Sequence, residues 1–241
     1  MFVNGIINFG YWKRASYPTI SQEERFESEK ELYREVAKIL NITCEDAVLE
    51  IGCGLGIGAA LIMKEFTPMK IKGIDISRER IEKAKEIHKE LMDLKLLNFY
   101  LENAEKLICR NQSFDKAFSI EAIQHFKSSP NFIYEAFRVL KPNGRLLIAS
   151  IFTSSKKASE KAEVLLPFKV GIIHWIPINE LCSSIQSAGF KNVQVKSIGK
   201  NVWEPIGQWI SQNNLLPPWN EWYNGYKKCL YDYYIVWADK N

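Results

Sequence analysis

The 241-residue sequence predicts an α/β protein built on a doubly wound, mostly parallel, seven-stranded sheet, with helices on both faces and a small helical cap. Three observations predict it. Short apolar runs of strand length alternate with amphipathic stretches of helix length from about residue 48 to 197. The first run ends in a glycine-rich turn that opens a helix, Val48-Leu49-Glu50-Ile51-Gly52-Cys53-Gly54-Leu55-Gly56. The second ends on an acidic residue, Asp75, 19 residues after Gly56.

Residues 1–40 precede the first strand and hold an amphipathic helix, roughly Glu23 to Leu40. Five apolar runs read as strands: Val48–Gly52, Ile71–Ile74, Leu96–Tyr100, Phe114–Ile120 and Arg145–Ile151; Val193–Val195 and Tyr231–Trp237 are candidates for two more. A helix is expected over Ile57–Phe66, and another over Arg78–Leu94, capped by Ser77. In the latter, Ile81, Ala84, Ile87, Leu91 and Leu94 recur at helical spacing, and the charges between them, with His88, read as a solvated face. A helix over Asn131–Leu140 should stop at the Lys141-Pro142-Asn143-Gly144 turn. The insertions at 152–175 and 198–229 read as lid or wall segments. The chain is read as one domain, 1–241: a helical lid (1–45), a ligand-binding core (46–150), then cap insertions and C-terminal strands (151–241).

The composition narrows the function classes. With 46% hydrophobic and 25% charged residues there is apolar material for a full core. The net charge of +4 comes from scattered residues, without the dense basic stripe of a nucleic-acid binder. Five cysteines, odd in number and without a C-x-x-C pair, point to free thiols in a reducing compartment. No signal peptide is evident, and the longest nearly apolar run, Val170–Ile178, is too short to span a bilayer. The expected location is the cytoplasm. The three histidines have no ligand-like spacing with the cysteines, so no metal site is expected.

A glycine turn brings backbone close to a ligand, and a carboxylate at the end of the next strand can accept hydrogen bonds from both hydroxyls of a ribose. Glu50-Ile51-Gly52-Cys53-Gly54-Leu55-Gly56 followed by Gly73-Ile74-Asp75-Ile76-Ser77 resembles the first two motifs of the class I S-adenosyl-L-methionine (SAM)-dependent methyltransferases, a Rossmann-like family. Asn103-Ala104-Glu105, Ser113-Phe114-Asp115 and Leu140–Arg145 match its later motifs in order, so the likeness covers about residues 46–150. It implies that SAM is the cofactor and S-adenosyl-L-homocysteine (SAH) the product. By the same resemblance Glu50 opens the motif, Gly52, Gly54 and Gly56 line the methionine end, Asp75 the ribose, and Asn103, Ala104 and Glu105 the adenine, with Ile76 also among the cofactor contacts. Asn8-Phe9-Gly10-Tyr11-Trp12 resembles a segment of the small-molecule subgroup acting on sterols, tocopherols and natural products, which would bring Tyr11 and Trp12 over the pocket.

Methyl transfer needs placement first, and a base only when the acceptor is a hydroxyl or an acidic carbon. His125, just past the fourth strand, is the candidate base; Glu121-Ala122-Ile123-Gln124-His125-Phe126 also resembles the E-x-x-x-H stretch of the same subgroup, with Glu121 facing the transfer site. The aspartate that some relatives place after the fifth strand is absent, because this chain has Ile151-Phe152-Thr153. His174 and Trp175 are candidates for the acceptor pocket. Five of seven tryptophans, Trp203, Trp209, Trp219, Trp222 and Trp237, fall in the last 40 residues, which suggests apolar walls and a small aromatic or hydrophobic acceptor, O-methylation being favoured over N or C. The alternatives are an RNA or protein methyltransferase, a non-catalytic SAM-binding module, and an NAD-dependent dehydrogenase.

Overall fold

In the computed structural model, which describes residues 5–14, 17–164, 174–215 and 219–241, the elements follow the expected alternation. Helix α1 (Gln22–Leu40) starts at a capping box in which Ser21 and Glu24 exchange side-chain and backbone hydrogen bonds. Strand β1 (Ala47–Ile51) leads through the glycine turn to α2 (Ile57–Phe66), then come β2 (Lys70–Asp75), α3 (Arg78–Ile87), α4 (Lys89–Asp93) and β3 (Leu97–Leu101). Strand β4 (Phe114–Ile120) passes into a single 3-10 turn, Ile123–His125, before α5 (Ser129–Val139) and the long β5 (Leu140–Thr153). Beyond it lie α6 (Lys156–Ala162), α7 (Ile178–Ser187), β6 (Lys191–Ser197), α8 (Gly199–Gln212), α9 (Trp219–Lys227) and β7 (Tyr231–Asp239).

The seven strands form one sheet in the order β3-β2-β1-β4-β5-β7-β6, parallel except for β7, which runs antiparallel to both neighbours. All five residues of β1 are buried, as a strand covered on both faces requires. The order of the parallel strands reverses between β1 and β4, and the crevice outside their carboxyl ends is where open sheets of this kind bind ligands. One apolar core lies on each face of the sheet.

Three local expectations need correction. The helix over Arg78–Leu94 is broken at His88; Ile87, just before the break, is 53% and Leu94, at its far end, 62% exposed, while Leu91 still packs against the core. His88 is not on a solvated face: it is half-buried, packs its ring 5.6 Å from that of Phe99, and its Nε2 lies 3.1 Å from the Leu55 carbonyl oxygen in the glycine turn. The Lys141–Gly144 turn is absorbed into β5 as an irregularity, where the β4 register slips between Phe114 and Lys116. Helix α7 has no counterpart among the expected elements.

The segment before α1 is fastened to α8 by a ladder of carboxamides. Gln208 and Gln212 each accept from one backbone N–H and donate to the carbonyl of the same residue, Tyr17 and Ile20 respectively. Two turns earlier Asn201 donates to the Trp12 carbonyl at 2.8 Å, and its own backbone carbonyl accepts the Trp12 N–H at 2.8 Å. Pro205 explains the last bond: with no N–H it leaves the carbonyl four residues before it without its helical partner.

Candidate active site

A cleft of about 400 Å³ opens at the carboxyl ends of β1, β2 and β4. Its floor is the glycine turn, held to β2 by hydrogen bonds from the Gly52 and Cys53 N–H groups to the Ile74 carbonyl at 2.8 and 2.9 Å. Gly52, Gly54 and Gly56 all have φ between +54° and +82°, a region in which side chains with a Cβ are strained. They do different things there. At Gly52 a Cβ would strike Ala122, so this glycine lets β1 and β4 close on each other; at Gly54 a Cβ would meet nothing within 4 Å and would project into the cleft. Gly56 does not line the cleft: a Cβ on it would collide with Phe99, so its place is in packing beneath the turn.

Asp75 lines the cleft at the end of β2 and is 7% exposed. Its Oδ2 accepts the Gly54 N–H and its Oδ1 the Ser77 N–H, both at 2.9 Å, which fixes the carboxylate and leaves each oxygen a further lone pair. Ile76, 74% exposed, stands at the rim beside it. Asn103, Ala104 and Glu105 form the neighbouring wall, braced by the Glu105 N–H to Asn103 Oδ1 and by the Lys127 N–H to Glu105 Oε1.

On the opposite side Glu121 and His125 line the same cleft from the turn that follows β4. Glu121 has φ +48°, an unusual conformation for a residue with a side chain, and Oε1 accepts the Phe9 N–H at 2.7 Å and the Tyr233 hydroxyl at 3.0 Å. Burial pushes its carboxyl up to about 7 against these two bonds. The turn is braced from below by Gln124, which accepts from Ser150 Oγ at 2.7 Å and donates to the Glu121 carbonyl at 2.8 Å. His125 is exposed into the cleft mouth.

Five expected contacts fall elsewhere. Glu50 is 1% exposed and lies under the turn, where its Oε1 accepts the Tyr33 hydroxyl at 3.1 Å and burial pushes it up to about 8. Trp12 is 1% exposed and packs edge-on against Tyr17 in the core, so it does not line the cleft; Tyr11 turns away towards Lys196, 6.0 Å from its ring. Trp175 stacks on Tyr231 at 4.9 Å, and His174 donates its N–H to the Gln124 carbonyl; among the described residues neither lines the cleft. The expected tryptophan wall is mostly core, since Trp203, Trp209 and Trp222 are all under 8% exposed and Trp203 lies parallel to Trp222. The apolar run Val170–Ile178 and Leu215–Trp219 fall partly outside the described residues.

Sequence reasoning passed over other lining residues. Gly5, Ile6 and Ile7 close one side of the cleft, Tyr33 reaches it from α1, and Glu102, Arg80 and Lys127 stand around the Asp75 end. The only sequence signal for the first three was their place directly before Asn8-Phe9-Gly10.

The cleft suits an adenosyl sulfonium on its own geometry: Gly54 where a Cβ would intrude, an immobilised carboxylate with spare lone pairs, and a second carboxylate across the floor. Residues 42–202 match the family described as methyltransferase domain. The chain belongs to this methyltransferase family. It is a class I SAM-dependent methyltransferase of the natural-product type. The erythromycin 3''-O-methyltransferase of Saccharopolyspora erythraea is 30% identical over 214 residues, 85% of this chain and 68% of that one. An O-methyltransferase of Aspergillus sclerotiorum is 26% identical over 88% of this chain and 78% of its own. Among solved structures, geranyl diphosphate C-methyltransferase from Streptomyces coelicolor A3(2), in complex with Mg2+, geranyl diphosphate and SAH, aligns with TM-score 0.82 over 100% of this chain and 94% of that one at 14% identity. The [4+2]-cyclase SpnF aligns with TM-score 0.78 over 96% of this chain and 86% of its own at 19% identity, so this likeness carries the fold and not the reaction.

Proposed function

We propose that this methyltransferase methylates a hydroxyl group on a small, largely apolar organic molecule, with His125 taking the hydroxyl proton. One observation carries the reading: Glu121 and His125 share a braced turn at the carboxyl end of β4 and open into the cleft that Asp75 closes from the other side. When bound, SAM supplies a methyl group on a sulfonium, a leaving group that departs as neutral SAH. The chain's own part is to hold the ribose at Asp75, keep the adenine against Ile76 and Ala104, and present the acceptor to His125. Removal of the proton lets the oxygen lone pair form the new bond to carbon. The apolar preference rests on Ile6, Ile120 and Phe126 in the lining, since the tryptophans lie in the core, and the hydroxyl acceptor is supported by the O-methylation in the relatives' names.

In this reading residues 1–45 are the lid, 46–150 the cofactor core and 151–241 the cap and closing strands. Five free cysteines favour a cytoplasmic protein, and no helix among the described residues is long and apolar enough to cross a membrane. The test is transfer of tritiated methyl from SAM. Label should enter organic-extractable products from a panel of hydroxylated natural products rather than precipitable RNA or protein. On the responding acceptor His125→Ala should lower kcat by about 10²–10⁴-fold with SAM affinity unchanged; a loss within about threefold refutes the base assignment.

A further inference from the structure

Glu121 is surrounded by groups that leave it no ion pair of its own. Behind it α1 contributes Arg25, Glu29 and Tyr33, β7 contributes Tyr233, and the segment before α1 contributes the Phe9 N–H. Arg25, 2% exposed, is already spent: its guanidinium pairs with Glu29 at 2.9 Å, donates to the Asn8 carbonyl at 2.7 Å and reaches Ser28 Oγ at 3.3 Å. No ion pair among the described residues includes Glu121. His125 sits on its own turn, and Asp75, Glu102, Glu105, Arg80 and Lys127 line the same cleft. Burial favours the acid, while two hydrogen bonds and the nearby charge of Arg25 favour the carboxylate, and the balance lies near neutrality.

The methyl donor and its spent product differ by the methyl and by one positive charge, on the sulfur. We propose that Glu121 discriminates between them: its carboxylate is ionised when the cationic donor fills the cleft and protonated when the neutral thioether does. An opposite charge brought within about 4–6 Å favours an ionised carboxyl, and its removal restores the desolvation penalty. Donor binding therefore releases a proton from Glu121, and loss of the methyl to the acceptor lets that proton return. The donor gains affinity from a charge the product has lost, so product leaves a site that still holds donor tightly.

The inference rests on the reading that the cleft holds SAM, and calorimetry separates the two. SAM and SAH are titrated into the whole protein at pH 6.5, where both ligands keep their ammonium groups, in buffers of different ionisation enthalpy. Wild type should release about half a proton on binding SAM and close to none on binding SAH. Glu121→Gln keeps an acceptor oxygen for Phe9 and Tyr233; it should abolish the difference and weaken SAM about tenfold while changing SAH less than about twofold. Equal proton counts for the two ligands in wild type, or equal weakening of both in Glu121→Gln, overturn the inference and leave the cofactor assignment standing. Failure of either ligand to bind overturns both.

Discussion

At the residue scale, the glycines of the first turn separate ligand contact from packing. Gly54→Ala adds a methyl group where the cleft is open, so it should fold, at a cost of about 1–2 kcal/mol for the left-handed backbone. It should still raise the SAM Kd by about tenfold or more, because the added carbon occupies ligand space; thermal melting and equilibrium binding measure the two effects. Unchanged affinity would remove Gly54 from the site. Asp75, Glu121 and His125 were legible in the sequence as cleft residues because Asp75 ends β2 and the other two sit in the short turn after β4, at the sheet's carboxyl edge. Gly56, Tyr11 and Trp12 were not. A motif gives spacing, whereas whether a residue faces ligand or core depends on partners far along the chain, such as Phe99 for Gly56 and Asn201 for Trp12.

At the element scale, the parallel strands and the helices around them could be read from periodicity, and the interruptions could not. The break at His88 follows from a tertiary contact, the imidazole reaching the Leu55 carbonyl, which no local pattern announces. The attachment of the arm to α8 is likewise invisible locally, although its ingredients are there: Asn201, Gln208 and Gln212 fall on one helix face at i, i+7 and i+11, with Pro205 between them. The arm in turn supplies Gly5–Ile7 to the cleft and the Phe9 N–H to Glu121. Replacing Gln208 and Gln212 together by leucine removes four hydrogen bonds, each worth about 0.5–1.5 kcal/mol. The arm should become protease-sensitive and SAM should dissociate faster, while the β-sheet circular dichroism is preserved. An arm as resistant as in wild type would show that the ladder is not what fastens it.

At the scale of the whole molecule, buried carboxylates make stability depend on pH in an unusual direction. Glu50 and Glu121 are pushed by burial from an ordinary 4.5 to about 8 and about 7. In the unfolded chain these groups have lost their protons well below neutrality, so between pH 5 and 8 the folded state binds more protons and stability falls as pH rises. The melting temperature of the cofactor-free protein should therefore decline from pH 6 to pH 8, and Glu50→Gln should flatten that decline. A steeper decline in the variant would place the effect elsewhere. The mostly parallel seven-stranded sheet and the position of the cleft at its carboxyl edge were readable at this scale, because the alternation of elements leaves few topologies; the strand order itself comes from the structure. The tryptophan wall was misread, because Trp203, Trp209 and Trp222 are buried, with Trp203 and Trp222 packed against Phe9 of the arm, instead of lining the cleft.

The placement of the cofactor between Asp75 and Glu121 is tested most directly by a crystal structure of the protein with SAH. The ribose hydroxyls should lie on the Asp75 carboxylate, with the thioether sulfur on the Glu121 and His125 side of the glycine turn. Product bound elsewhere, or bound with its ribose away from Asp75, would contradict it.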